Sequence, residues 1–468
     1  MLCQLSYGGM FVRCNECSLQ RDITILGNLR ITQIARQERF SGIVLAARKE
    51  WVAAGRLEGV TSRISFHPHT WTKRALVVHT DLPGPPEWGP EQLWRLLPGR
   101  AQRPVRVSFT FNRDVAVTGD CLALALSTLT GKNFERIDFG FEVSAGVREA
   151  IAEWTQAEVN AEGAPSGAGT APGGVVEPAP GKVVLNFSGG FDSLAARYLL
   201  PEDHELVSLD FGGRFIRERE FFKRFDPICV ETNVVRTPLR ANSWSFIGLG
   251  ALLTAGTTRA EYCSFGSILE STRFKRGSAY ENNFTFPPFA AAGMTNAAPT
   301  LGLTEAGTVL VLAHNAPELL ADSLQSLAGP REEKLVRKRA LVEAVLAAAG
   351  TPVTLPRIEM PVEPYFTFGD NFTTDLTAMY LSWLGRPDLA RQLVRGFSQQ
   401  IVRDVRGMDF DFMRKADGRM YRNYPEPLHA TLTAGLDQAG IEYYSAQDAE
   451  ANAEFLRYWQ AFKAKQAG

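Results

Sequence analysis

Apolar and polar positions change period several times along the chain, and each change marks an element. Val183, Val184, Leu185 and Phe187 form a short apolar run interrupted only by Asn186, the pattern of a parallel strand covered on both faces. Leu194, Ala195, Tyr198 and Leu199 then recur at helical spacing. The strand is therefore expected to pass through a glycine turn into a helix whose first turn holds Asp192 and Ser193. Further strands are expected over 205–211, 261–266 and 308–313, the last with His314 and Asn315 at its carboxyl end. Upstream, 105–111 alternates strictly and predicts a half-exposed strand. The stretch 121–129 is apolar enough for a buried helix, and 146–154 reads as a second one.

Past residue 330 the pattern becomes helical. Pro330 followed by Glu332 and Glu333, with Leu335, Val342, Val345 and Leu346 behind them, predicts a helix that starts on proline and acids and turns an apolar side to a core. Its Lys334, Arg337, Lys338 and Arg339 read as a solvated face, with contact of Lys334 or Lys338 to phosphate or RNA as the alternative. Helices are also expected over 375–384, 390–402 and 453–462.

Composition divides the chain. Residues 161–181 are almost entirely Ala, Gly, Pro and small polar residues with little to bury, the signature of a flexible linker. On that basis 1–160 is an accessory α+β domain, 182–350 a nucleotide-binding domain, and 351–468 a helical cap or partner-binding region. With 50 Lys and Arg against 51 Asp and Glu, no general attraction to nucleic acid or membrane is implied, and only a local basic face would bind RNA. No apolar run approaches the roughly 18 residues of a membrane span, and the first residues lack the charged and apolar regions of a signal peptide. A cytoplasmic enzyme is the expectation. Six cysteines, at 3, 14, 17, 121, 229 and 263, are too scattered for a disulfide framework. Cys14 and Cys17 have the spacing of half a zinc site that Cys3 would extend, but no second Cys-x-x-Cys completes four ligands. His67 and His69 lack acidic or thiol partners nearby and read as a surface loop.

The strand–turn–helix carries the chemistry. Unpaired N–H groups and the positive dipole end of a helix make an anion seat. Gly189 and Gly190 let the backbone approach a ligand, and Ser188 and Ser193 add hydroxyl donors. A carboxylate at Asp192 beside phosphate makes sense when Mg²⁺ lies between them. Gly212 and Gly213, after the expected strand 205–211, would let an adenine ring lie against backbone in the same crevice.

Ser188-Gly189-Gly190-Phe191-Asp192-Ser193 resembles the SGGxDS signature of the PP-loop ATP pyrophosphatases. Asp210-Phe211-Gly212-Gly213-Arg214, with Glu218 and Glu220 beyond, and Arg240-Ala241-Asn242 opening an apolar helix, are similar to the 7-cyano-7-deazaguanine synthase branch of that superfamily. The resemblance covers roughly 182–350. It implies a doubly wound parallel sheet of the adenine nucleotide alpha-hydrolase type, and cleavage of ATP between its α- and β-phosphates. It places the β,γ-phosphates on Ser188, Gly189, Gly190, Phe191 and Ser193, Mg²⁺ on Asp192, adenine by Asp210, Phe211 and Gly212, and departing charge near Arg240. The implied substrate is a planar acid such as 7-carboxy-7-deazaguanine, adenylated and then attacked by ammonia or an amine, or joined to a protein acceptor in antiviral defence. No cysteine follows Cys263, so the branch's zinc-binding cysteines have no counterpart here. Two other readings stay open: thiolation through Cys229 or Cys263, and an ATP-binding subunit without catalysis.

Overall fold

Val184 and Leu185 are completely buried and Val183 nearly so, which places the strand they form, β6 (Ala179–Asn186), inside a sheet. The computed structural model describes residues 62–82, 105–162, 174, 176–272, 283–329, 332–351, 354–358 and 363–467. Around β6 lie β1 (Arg63–Trp71), β2 (Ala75–Asp81), β3 (Val105–Phe111), β4 (Arg136–Phe139), β5 (Glu158–Ala161), β7 (Glu205–Asp210), β8 (Ile228–Thr232), β9 (Ala260–Phe265) and β10 (Thr295–Asn296). These ten form one mixed sheet in the order β10-β9-β6-β7-β8-β3-β2-β1-β4-β5. Strands β6 to β10 are mutually parallel, so their carboxyl ends share one edge of the sheet. From β6 the chain moves out to β7 and β8 on one side, then returns to β9 and β10 on the other.

Helices cover both faces. The helix α1 (Gly119–Thr130) is buried along its whole length and capped by Thr118, whose hydroxyl accepts from Cys121 N at 3.1 Å. It packs against α2 (Ala145–Thr155) and the short helix Leu249–Leu253. A side chain at Gly250 would run into Val207 and Leu209 of β7; only glycine lets that helix lie so close. On the opposite face lie α3 (Phe191–Leu199), α4 (Ile216–Phe222), α5 (Glu305–Asn315), α6 (Leu319–Ser326), α7 (Glu333–Ala348), α8 (Phe372–Trp383), α9 (Pro387–Leu393), α10 (Gln399–Arg406), α11 (Glu426–Gln438) and α12 (Ala446–Ala467). Most of these share one continuous apolar core with Val183, Leu185 and Phe187. The chain is an α/β protein with a large, mostly parallel mixed sheet and a helical C-terminal region. Among the described residues no helix is long and apolar enough to cross a membrane.

Several expectations are corrected. The run 308–313 is not a strand: it lies within α5, whose N-cap Thr304 accepts from Gly307 N. A short, wholly apolar run cannot distinguish a buried helix from a buried strand, and the cap settles it. His314 and Asn315 therefore end an exposed helix terminus and flank no strand. The helix expected over 390–402 is broken. The chain leaves α9 at Leu393, extends through β12 (Val394–Arg395), which pairs with β11 (Phe366–Thr367), turns at Gly396 with φ +76°, and restarts at α10 under a Ser398 cap. The low-complexity stretch is shorter than 161–181, since Ala161 closes β5 and Ala179, Pro180 and Gly181 open β6. The sheet does not break there: β3 pairs antiparallel with β8. His67 and His69 sit in β1, where His69 stacks on His79 at 4.8 Å. Cys3, Cys14 and Cys17 lie outside the described residues.

Candidate active site

The loop after β6 is held from within. Gly189 adopts φ +77°, in the left-handed region, and a Cβ there would come within 2.7 Å of the Phe221 ring of α4. Glycine meets both demands. Gly190 caps α3, and its carbonyl accepts from Leu194 N at 2.9 Å and from Ser193 Oγ at 3.1 Å. The two hydroxyls of Ser188 and Ser193 meet at 3.1 Å, and Ser188 N donates to Ser193 Oγ at 3.3 Å. Across the core, Ser323 of α6 donates to Gly189 O at 2.8 Å. The loop after β9 comes down on the same place: a Cβ on Gly266 would lie 2.5 Å from Ser193 N. The carboxyl ends of β6 and β9 thus converge on the start of α3.

Asp192 is buried in the first turn of α3, and the basic run of α7 meets it. Lys338 Nζ lies 3.5 Å from Asp192 Oδ1 and 3.2 Å from Glu305 Oε1, with the Phe191 ring 5.3 Å below it. Arg337 pairs with Glu305 and, at 3.1 Å, with Glu333, which accepts from Thr374 Oγ1 at 3.1 Å. The solvated face expected for this run is overturned, because Lys334, Arg337 and Lys338 are all buried. They point inward because the acids that neutralise them, Asp192, Glu305 and Glu218, stand on other elements. Burial acts against the charge on Lys338, yet Asp192 and Glu305 outweigh it and hold its pKa above the ordinary value. Glu305 is held well below the usual carboxylate range, since Arg337 and Lys338 overcome the opposing effect of burial. Glu270, on the turn after β9, accepts from Glu305 N at 2.9 Å. Burial, then the charge of Glu305, pushes it up to about 8.

The second glycine pair lies at the carboxyl end of β7. Gly212 N donates to Asp210 Oδ1 at 2.8 Å, and Gly212 and Gly213 adopt φ +61° and +55°. A Cβ on Gly212 would meet only the Arg236 guanidinium, at 3.1 Å. Phe211 turns into the core against Phe215 and Phe246, while Gly212 is half-buried and Gly213 exposed. Arg240 sits in the 3₁₀ turn Pro238–Ala241, not in a helix start. The neighbouring Asn242 is tied to the end of α1, donating to Leu129 O at 2.8 Å. No family model, curated protein or solved structure matches the chain. Its chemistry is therefore read from geometry.

Of residues 188–193, Asp192 alone carries a carboxylate that would hold a divalent cation arriving with phosphate. Among the described residues no group of three or more His, Cys, Asp or Glu side chains is placed to bind a metal alone, and Mg²⁺ commonly needs only one or two carboxylates with substrate phosphates. Asp192 at the anion seat meets that need. Of the sequence-derived site residues, the fold brings 188–193 together with Lys338 and sets Asp210, Gly212 and Gly213 along the same strand-end edge. Glu270, Glu305 and Ser323 carried no sequence signal: each is a single polar residue outside every motif and predicted element. Beside the strand ends, Phe286 packs between Trp154 at 5.1 Å and Trp244 at 5.4 Å, while Trp244 and Phe284 stay exposed.

Proposed function

We propose that the chain is an ATP-dependent adenylating enzyme of the PP-loop ATP pyrophosphatase kind, with β6 to β10 as a doubly wound adenine-nucleotide unit. The observation that carries this reading is the reversal of strand order beside β6, with a left-handed glycine turn and Asp192 at the crevice where such sheets bind ligands. In this reading Ser188, Gly189, Gly190 and Ser193 hold the β,γ-phosphates, and the backbone of Gly212 and Gly213 lies against adenine. Asp192 would hold the Mg²⁺ that accompanies the nucleotide, and the metal would supply neutralising charge for the leaving pyrophosphate. By the resemblance, Arg240 would add positive charge where pyrophosphate leaves.

A carboxylate oxygen of the acceptor attacks the α-phosphorus, the α–β bridging bond breaks, and pyrophosphate departs. Ammonia or an amine then attacks the activated carbonyl, loses a proton and displaces AMP. The resemblance to the 7-cyano-7-deazaguanine synthase branch makes a planar 7-deazapurine acid the substrate of choice, with a protein amine as the alternative nucleophile. Exposed rings at Trp244 and Phe284 are in keeping with a planar acceptor.

Incubation with ATP, Mg²⁺ and candidate deazapurine acids, followed by mass spectrometry, should show AMP and a modified small molecule or protein. Asp192→Asn should abolish pyrophosphate release while the chain stays folded, because Lys338 keeps Glu305. Full turnover in that variant rejects the assignment.

A further inference from the structure

The carboxylate at the anion seat already has a cation, supplied by the chain itself. Lys338 is only 1 % exposed and its ammonium bridges Asp192 and Glu305, on two different helices. Buried carboxylates without a cation are strongly unfavourable, and a third carboxyl stands close by: Glu270 is 3 % exposed and its Oε2 has no hydrogen-bond partner. An ammonium on a flexible four-carbon stem is a compact point charge, so it competes with a divalent cation for the same Asp192 oxygen. A metal arriving alone gains too few ligands to displace it. A metal arriving with a triphosphate brings most of its ligands along.

We propose that Lys338 is the resident counter-ion of the nucleotide–metal site: it holds Asp192 until a divalent cation arrives with a triphosphate, then falls back on Glu305. The inference rests on the nucleotide reading of 188–193 and makes metal and nucleotide binding depend on each other. Lys338 is here a positioning residue, acting through Asp192.

The test uses the full chain, Mn²⁺ as probe, and a non-hydrolysable ATP analogue, followed by paramagnetic resonance and thermal unfolding. Mn²⁺ alone should bind Lys338→Met at least ~10-fold more tightly than wild type and raise its melting temperature, by uncovering Asp192. Adding Asp192→Asn should remove that gain. Equal Mn²⁺ affinity of wild type and Lys338→Met overturns the proposal. Should Lys338→Met fail to fold, wild type decides: tight binding of Mn²⁺ without the analogue overturns the proposal, and binding only with the analogue supports it. If the variant gains its Mn²⁺ site while the analogue binds no form of the chain, the nucleotide reading falls and the counter-ion stands. If the analogue binds wild type with Mn²⁺ and the variant gains nothing, the counter-ion alone falls.

Discussion

At the scale of single residues, the loop 188–193 depends on what a side chain would do to it. Gly189 combines φ +77° with a Phe221 ring 2.7 Å from the place of a Cβ. Gly189→Ala should lower stability by about 1–3 kcal/mol in denaturant unfolding and weaken nucleotide binding with it; an unchanged midpoint would contradict this geometry. The cysteines argue against thiolation. Burial pushes Cys229 up to about 11 and Cys263 up to about 12, far from the thiolate that sulfur transfer needs. The double variant Cys229→Ala, Cys263→Ala should therefore keep its rate of AMP formation, and loss of turnover with folding intact would revive the sulfur-transfer reading. Asp192 and the glycines were legible in the sequence because a contiguous motif carries them. Glu305 and Glu270 were not: a lone glutamate gives no local sign that a fold will bury it beside a lysine, as at Glu305, or beside another carboxylate, as at Glu270.

Elements show the same division. Strand β6 and helix α3 follow from a change of period, while 308–313, inside α5, reads as a strand because its apolar positions run on without a period. In α7 the run from Lys334 to Arg339 looked solvated by composition alone, yet the helix turns its cations toward Asp192, Glu305 and Glu218. The C-terminal helices hold a buried carboxyl group of their own. Asp375 of α8 accepts from Trp459 Nε1 of α12 and from Gly369 N, each at 2.9 Å. Burial nevertheless pushes its pKa up to about 7 from an ordinary 3.8. The folded state thus holds this proton more tightly than the unfolded chain. The associated stability is fully present below about pH 4 and is lost as the pH rises toward 7. Asp375→Asn should flatten that part of the stability profile, by about 4 kcal/mol across the window in urea unfolding. A profile as steep as that of wild type would show that another group is responsible.

For the whole molecule, the sheet joins what composition separates. Strand β3, from the first part of the chain, covers the edge of β8, and α1 packs on the short helix Leu249–Leu253. A chain beginning at residue 176 should therefore lose cooperative unfolding by circular dichroism and tend to aggregate, since it exposes a sheet edge and an apolar face together. A soluble, cooperatively folding fragment would restore the linker as a true domain boundary.

What the sequence determined by itself was local: the strand–turn–helix at 182–199, the buried helix around 121–129, the second strand around 205–211 and the helical character of the C-terminal region. Periodicity, caps and turn residues act over a few positions, and each of these features lies within such a span. Tertiary structure alone decided that 105–111 and 228–232 share a ladder, that the lysines of α7 face inward, and that Asp192 has a lysine for its neighbour 146 residues away. Those outcomes depend on which charges and apolar faces meet when distant segments pack, and the burial that fixes them exists only in the folded chain.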